Sequence, residues 1–227
     1  MNRFWARGLW LSAVLLSGCG GHATGNTDRV TPMPDSLPGV YGGDLPCSNC
    51  SAIRATLWLR PDYRFFLRQS FVGGDDAGAD NAYAVGKWHW DEHQADIVLA
   101  SVGPARRFVP LDDRRLELHT FSNVPHELTR LDDPPPFTDT LRLDGESELV
   151  GDGATFTECL SGLKLAVAPG KGFKELRRQH RLLNGRGKPA LTSVDGHLRE
   201  IGTGATRREI LVVDRVIELK PRARCGT

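Results

Sequence analysis

An all-β chain built as two consecutive β-barrels is the fold class this sequence predicts. Short period-two strands run through both halves, separated by Gly, Pro and Asp clusters. The triple proline Pro134–Pro136 breaks the chain in the middle, and the only helix-length apolar period falls in the second half. Charge swings at the same break. Residues 37–136 carry ten Lys/Arg against fourteen Asp/Glu, and residues 137–227 carry sixteen against twelve, which supports two domains. Over the whole chain, 29 basic residues face 28 acidic ones, a balance that argues against a nucleic-acid partner.

The first 18 residues read as a lipoprotein signal peptide. Arg3 and Arg7 give a positive start, and Leu9–Leu16 gives an apolar run too short for a membrane span, which needs roughly 20 residues. Leu16-Ser17-Gly18-Cys19 resembles the bacterial lipobox, which implies thioether lipidation of Cys19 after cleavage behind Gly18. The membrane is therefore the first expected partner, through a lipid anchor; several acyl chains hold a protein stably where one would be marginal. Gly20, where an Asp commonly marks inner-membrane retention, favours the outer membrane. Residues 19–36, rich in Gly, Thr and Pro, read as a flexible tether.

Residues 37–131 predict the first barrel. Ile53, Ala55, Leu57 and Leu59 alternate with Arg54, Thr56, Trp58 and Arg60; Pro61-Asp62 turns the chain, and Tyr63, Phe65 and Leu67 resume the alternation. Further strands are expected at Tyr83–Trp90, Ile97–Ser101, Arg107–Val109, Leu116–Thr120 and Glu127–Leu131, giving a meandering barrel or a sandwich. Trp58, Phe66, Trp88 and Trp90 are the side chains expected to fill its interior, if it is filled. Residues 132–136 form a stiff linker that separates the halves, so the first is expected to stay folded when the second is damaged.

Residues 137–227 predict strands at Thr140–Leu149, Ala154–Cys159 and Leu163–Val167, then the turn Pro169–Gly172. A helix follows from Phe173 to about Asn184, with Phe173, Leu176, His180 and Leu183 on one face and Gly185 as its stop. Strands at Pro189–Arg199 and Glu209–Leu219 close the pattern, which fits an OB-type five-stranded barrel with one helix. The run Arg177-Arg178-Gln179-His180-Arg181 reads as a solvated helix face rather than a binding patch.

With Cys19 lipidated, four cysteines remain and allow three pairings. Cys47 and Cys50 are local to one another, which leaves Cys159 and Cys225 as a long-range disulfide inside the second half. The Cys47-Ser48-Asn49-Cys50 motif has no βαβ setting for a thioredoxin-like catalyst, and no second CxxC for zinc. It reads as a disulfide clamping a turn, or, when reduced, as a transient Cu(I) site. His89 and His93 do not have the spacing of a metal-binding HExxH and read as surface residues. The sequence also carries no GxSxG, Walker A or supported SxxK motif, so an enzyme is not expected.

These residues bring a family into view. Gly39-Val40-Tyr41 with Gly43-Asp44-Leu45-Pro46-Cys47-Ser48-Asn49-Cys50-Ser51-Ala52-Ile53 resembles the opening strand and LPCxxC turn of the NlpE, or copper homeostasis lipoprotein, family. Gly86, Trp88 and Trp90 follow its strand pattern; Phe156–Gly162, Leu191–Gly196 and Cys225-Gly226 resemble its C-terminal domain. Ser48-Asn49 replaces the usual Ala-Asp, and His180 stands where Tyr is common. The resemblance implies an outer-membrane, non-enzymatic lipoprotein with a lipocalin-like N-terminal barrel followed by an OB-fold. It also implies a part in envelope-stress signalling, surface sensing and copper tolerance, with an envelope-stress sensor kinase as partner. A lipocalin-like carrier of a small molecule or lipid is the alternative.

Overall fold

The computed structural model describes residues 30–74, 81–101, 104–120, 124–184 and 188–226. The signal peptide, Cys19, Gly20, residues 19–29 of the tether and the stop residue Gly185 lie outside the described residues. Among the described residues the chain is all-β, with two closed barrels and one α-helix.

The first barrel is an antiparallel meander of β1 (Gly39–Leu45), β2 (Ala52–Leu59), β3 (Arg64–Val72), β4 (Ala82–Asp91), β5 (Asp96–Ala100), β6 (Arg106–Pro110), β7 (Arg115–Leu118) and β8 (Glu127–Arg130). It closes where Tyr41 and Gly42 of β1 pair with Arg130 and Thr129 of β8, so the end strands leave no open edge. Period two sends Leu57, Leu59, Phe65, Leu67, Trp88, Ile97, Phe108, Leu116 and Leu128 into one cluster with Tyr41. Asp96 is buried and is neutralised by Arg107, whose guanidinium lies 2.8 Å from it and 3.1 Å from Asp91.

Two sequence expectations change here. Tyr63 is not a strand residue: it sits in the β2–β3 turn at φ 60°, half exposed, with its ring 5.1 Å from Trp88. Trp58 and Phe66 are buried but on the outside of the barrel, in a cluster with the second domain. Both neighbour interior residues in sequence, and alternation sends neighbours to opposite faces. Trp88 does fill the interior, and Trp90 packs partly against it.

The second barrel contains β9 (Leu141–Val150), β10 (Gly153–Glu158), β11 (Lys164–Val167), β12 (Ala190–Ile201) and β13 (Arg208–Pro221), ordered β10-β11-β13-β12-β9 around the closed sheet. β11 and β13 are parallel, and the crossover between β11 and β12 carries helix α1 (Lys171–Gln179). Gly172 lies inside α1 rather than in the preceding turn. A Cβ there would stand 2.0 Å from the Val213 carbonyl oxygen, so only glycine lets the helix start so close to β13.

Helix α1 passes into a π-turn at His180–Asn184. Phe173, Leu176 and His180 are buried as the helical period expects, but the wider turn rotates Leu183 outward, leaving it 57% exposed. His180 is fully buried, so it does not belong to the solvated face that carries its arginine neighbours. Its Nε2 hydrogen-bonds Ser147 Oγ at 2.7 Å, and Ser147 Oγ meets Thr192 Oγ1 at 2.5 Å. Burial lowers the His180 pKa against a smaller opposing pull from Glu148. The unfolded imidazole takes up a proton near pH ~6.5 and the folded one resists it, so stability is full above that pH and declines below it. Urea unfolding from about pH 7.5 to about pH 5 is expected to show this loss, at up to about 1.4 kcal/mol per pH unit. The H180Q variant should show a shallower slope; an identical slope would exclude His180 as the source.

The linker does not separate the barrels. Phe137, directly after the prolines, stacks on Phe66 at 4.7 Å and meets Trp58 edge-on at 4.8 Å. Trp58, Phe66 and Val85 thereby join the same apolar cluster as Leu143, Phe156, Leu176 and Leu211 of the second barrel. Arg68 contacts Asp139 at 3.3 Å, and Arg60 contacts Glu209 at 2.8 Å, placing ion pairs around the apolar contact. The outer face of β2–β4 is polar at Arg60, Arg64 and Arg68 because these residues meet a partner domain.

Candidate functional site

Two cystines and the seam between the barrels gather the chemistry predicted from the sequence. Pro46, which has no N–H to continue the ladder, ends β1, and residues 46–51 turn the chain into β2. Cys47 and Cys50, both half-buried, are joined by a disulfide with Cα atoms 5.4 Å apart. Ser51 N–H donates to the Val72 carbonyl at 2.8 Å, holding the turn against the end of β3. At Gly74, φ 76°, a Cβ would fall 2.3 Å from the Asn49 carbonyl, so the returning chain needs glycine to lie against the CxxC turn.

Among the described residues, no group of three or more His, Cys, Asp or Glu side chains is placed to hold a metal. His89 and His93 are exposed and lie at the β4–β5 end, opposite the β1–β2 turn in an up-and-down barrel. They cannot complete a site with Cys47 and Cys50. The disulfide form offers no thiolate; reduction would supply two soft sulfur donors from one turn, which suits Cu(I) better than a cation needing four ligands.

The second disulfide joins Cys159, just after β10, to Cys225 near the C-terminus, across 66 positions of sequence. Cys159 N–H donates to the Asp144 carbonyl, and Cys225 N–H donates to Glu146 Oε1 at 3.1 Å. Arg224 contacts the other Glu146 oxygen at 2.6 Å; its hydrogen bond and then that of Cys225 N–H hold the Glu146 carboxyl below its usual pKa. The turn after Cys159 is ordered by Glu158, whose buried carboxylate accepts from Leu160 N–H, Ser161 N–H and Ser161 Oγ.

That turn is also a docking point. The Ser161 and Gly162 carbonyls accept from the Arg64 guanidinium at 3.1 and 3.3 Å, across the seam. Arg64 is held by Asp62, which also binds Arg60. Burial works against the Asp62 carboxylate, but the hydrogen bonds and charges of Arg60 and then Arg64 outweigh it and lower its pKa. The Cys159 turn is therefore tied at one end by the disulfide and touches the first barrel at the other. Sequence reasoning missed Arg64 and Phe137 because nothing local distinguishes a residue facing a second domain from one facing water.

The barrel interior is neither wholly filled nor an open calyx. Trp88, Phe65, Phe108 and Leu57 pack its lower half. Near the other end a cavity of about 210 Å³ remains, lined by Phe65, Leu67, Ala84, Leu99, Ser101, Pro104, Ala105 and Arg106. This is far smaller than a bilayer lipid would need.

Comparison with known proteins decides the family. The family model described as the NlpE N-terminal domain matches residues 41–124, and that of the NlpE C-terminal OB domain matches residues 138–226. The chain belongs to the NlpE family. Each cysteine pair falls inside one of the matched segments. Among curated proteins, the chain is similar to Lipoprotein NlpE of Escherichia coli (strain K12), at 28% identity over 234 residues, covering 96% of this chain and 94% of that protein. Among solved structures, it is similar to the Cpx pathway activator NlpE from Escherichia coli, at 25% identity over 86% of this chain and all of that one, with a TM-score of 0.37. A putative lipoprotein from Shewanella oneidensis matches at 25% identity over 42% of this chain and 90% of that one, with a TM-score of 0.34.

Proposed function

We propose that this NlpE-family chain is a non-enzymatic, lipid-anchored envelope-stress signalling protein of the outer membrane. The family match across both barrels carries the reading, because the similar Escherichia coli protein is a Cpx pathway activator. Cys19 would hold the lipid, residues 19–36 would tether the barrels, and an envelope-stress sensor kinase would receive the signal. The Cys159–Cys225 bridge supports a signal read from folding: it holds the turn that docks on Arg64, so reduction would loosen the seam as well as the second barrel. Copper, in this reading, acts through the reduced Cys47–Cys50 pair, whose thiolates would hold Cu(I) transiently, or by perturbing disulfide formation.

A stress reporter in the native host tests the proposal. Overproduction of the native chain and a G20D variant, which favours inner-membrane retention, should each raise the signal several-fold. C19S, which cannot take a lipid, should not mimic G20D. The C47S/C50S pair should change chiefly the response to copper. A reporter indifferent to overproduction and to G20D would rule the proposal out.

A further inference from the structure

Two adjacent arginines on β6 have opposite surroundings. Arg107 points outward and is neutralised by Asp91 and Asp96. Arg106, one residue earlier, shares the inward face with Phe108 and lies opposite Leu99 in the barrel register. Its Nη1 is buried without a hydrogen-bond partner among the described residues. Its Nη2 has one long contact, 3.5 Å to Gln69 Oε1. Among the described residues, no carboxylate forms an ion pair with it. Desolvation alone acts on Arg106, lowering its pKa, where a counter-charge would have raised it.

Arg106 is half-buried, but a guanidinium nitrogen sealed from water, with no counter-ion among the described residues, is costly to keep. Arg106 lines the 210 Å³ cavity, whose walls at Phe65, Leu67, Ala84 and Leu99 are apolar, with Ser101 the other polar lining residue. Gln69, itself buried, accepts from Arg106 through Oε1 and keeps its amide N–H₂ as a second donor. One planar guanidinium, one amide donor and an apolar wall are the complement of a single carboxylate carrying an apolar tail.

We infer that the unfilled end of the first barrel binds a small amphipathic monocarboxylate, its carboxylate on Arg106 and Gln69 and its tail against Phe65, Leu67 and Leu99. The cavity holds the volume of about seven waters, which limits the enclosed part to a short or medium chain. A phosphate monoester would bring a second negative charge that a single arginine does not balance. The cavity lies toward the barrel end that carries the Cys47–Cys50 turn, where β1–β2 and β5–β6 are joined. The inference rests on barrel geometry and is independent of the signalling reading, so each can fail without the other.

The test uses the full mature chain with serine at position 19, titrated calorimetrically with octanoate, octanol and octyl phosphate. Octanoate is expected to bind with a Kd between about 10 μM and about 1 mM. Octanol and octyl phosphate should each bind at least about tenfold more weakly, since a charge-assisted contact is lost or mismatched. R106Q should weaken octanoate by at least about tenfold while leaving the unliganded melting temperature unchanged or higher, because it removes a half-buried charge with no counter-ion among the described residues. L99W, which fills the cavity from the neighbouring strand β5, should abolish binding with Arg106 intact. Absence of octanoate binding, equal affinity for octanol, tighter binding of octyl phosphate, or unliganded R106Q melting several degrees lower would each overturn the inference.

Discussion

Replacing Cys159 and Cys225 together with serine is expected to destabilise the protein by about 4 kcal/mol. The bridge closes a loop of 66 positions, and in the chain-entropy model that constraint removes about this much free energy from the unfolded state. For a folded region of this size the melting temperature should fall by roughly 8–16 °C. The loss should also reach beyond the second barrel. With the Cys159 turn free, the Ser161 and Gly162 carbonyls no longer present a fixed pair of acceptors to Arg64, and the seam weakens. Protease sites should open in the second barrel first, and the first barrel should melt earlier than in the native chain. Calorimetry with and without reductant checks this, with C47S/C50S as the background so that only the long-range bridge responds. Equal melting temperatures in both conditions would remove the bridge from the account of stability.

Truncating Phe137 to alanine is the second large effect. Its ring is half-buried but sits between Phe66, Trp58 and Tyr83. The loss should be about 2–3 kcal/mol, below the cost of a fully buried Phe, and should fall on coupling as much as on either barrel. The native chain is expected to unfold in one calorimetric transition and F137A in two, because the remaining seam then leans on the part-buried polar contacts of Arg60, Arg64 and Arg68. A single, uniformly lowered transition in F137A would place its contribution in one barrel instead.

The barrels were legible in the sequence because a strand half-buried against a core announces itself every second residue. Ile53–Leu59 and Phe65–Leu67 show this directly. What alternation could not reveal is that both faces of β2 and β3 are covered. Trp58 and Phe66 look like interior residues, and Arg60, Arg64 and Arg68 look like solvent residues, yet all of them meet the second barrel. A proline-rich linker suggested separation, but prolines fix direction rather than distance, and Phe137 folds straight back onto β3. The helix was legible through Phe173 and Leu176; its π-turn was not, because nothing in His180–Asn184 encodes an extra residue per turn. Arg106 was readable in principle, two positions from Phe108 and hence on the same face, but Arg107 beside it made the pair look like ordinary surface charge.

Under the proposed function, a folded, bridged and correctly placed pair of barrels is the quiet state of an envelope-stress signal. The decisive experiment replaces the native copy in its host with C159S/C225S under the same promoter and measures the stress reporter alongside the protein's abundance. A several-fold rise in reporter output is expected without added copper, at a protein level no higher than that of the native chain. A variant present at native abundance, unbridged, and silent on the reporter would contradict it.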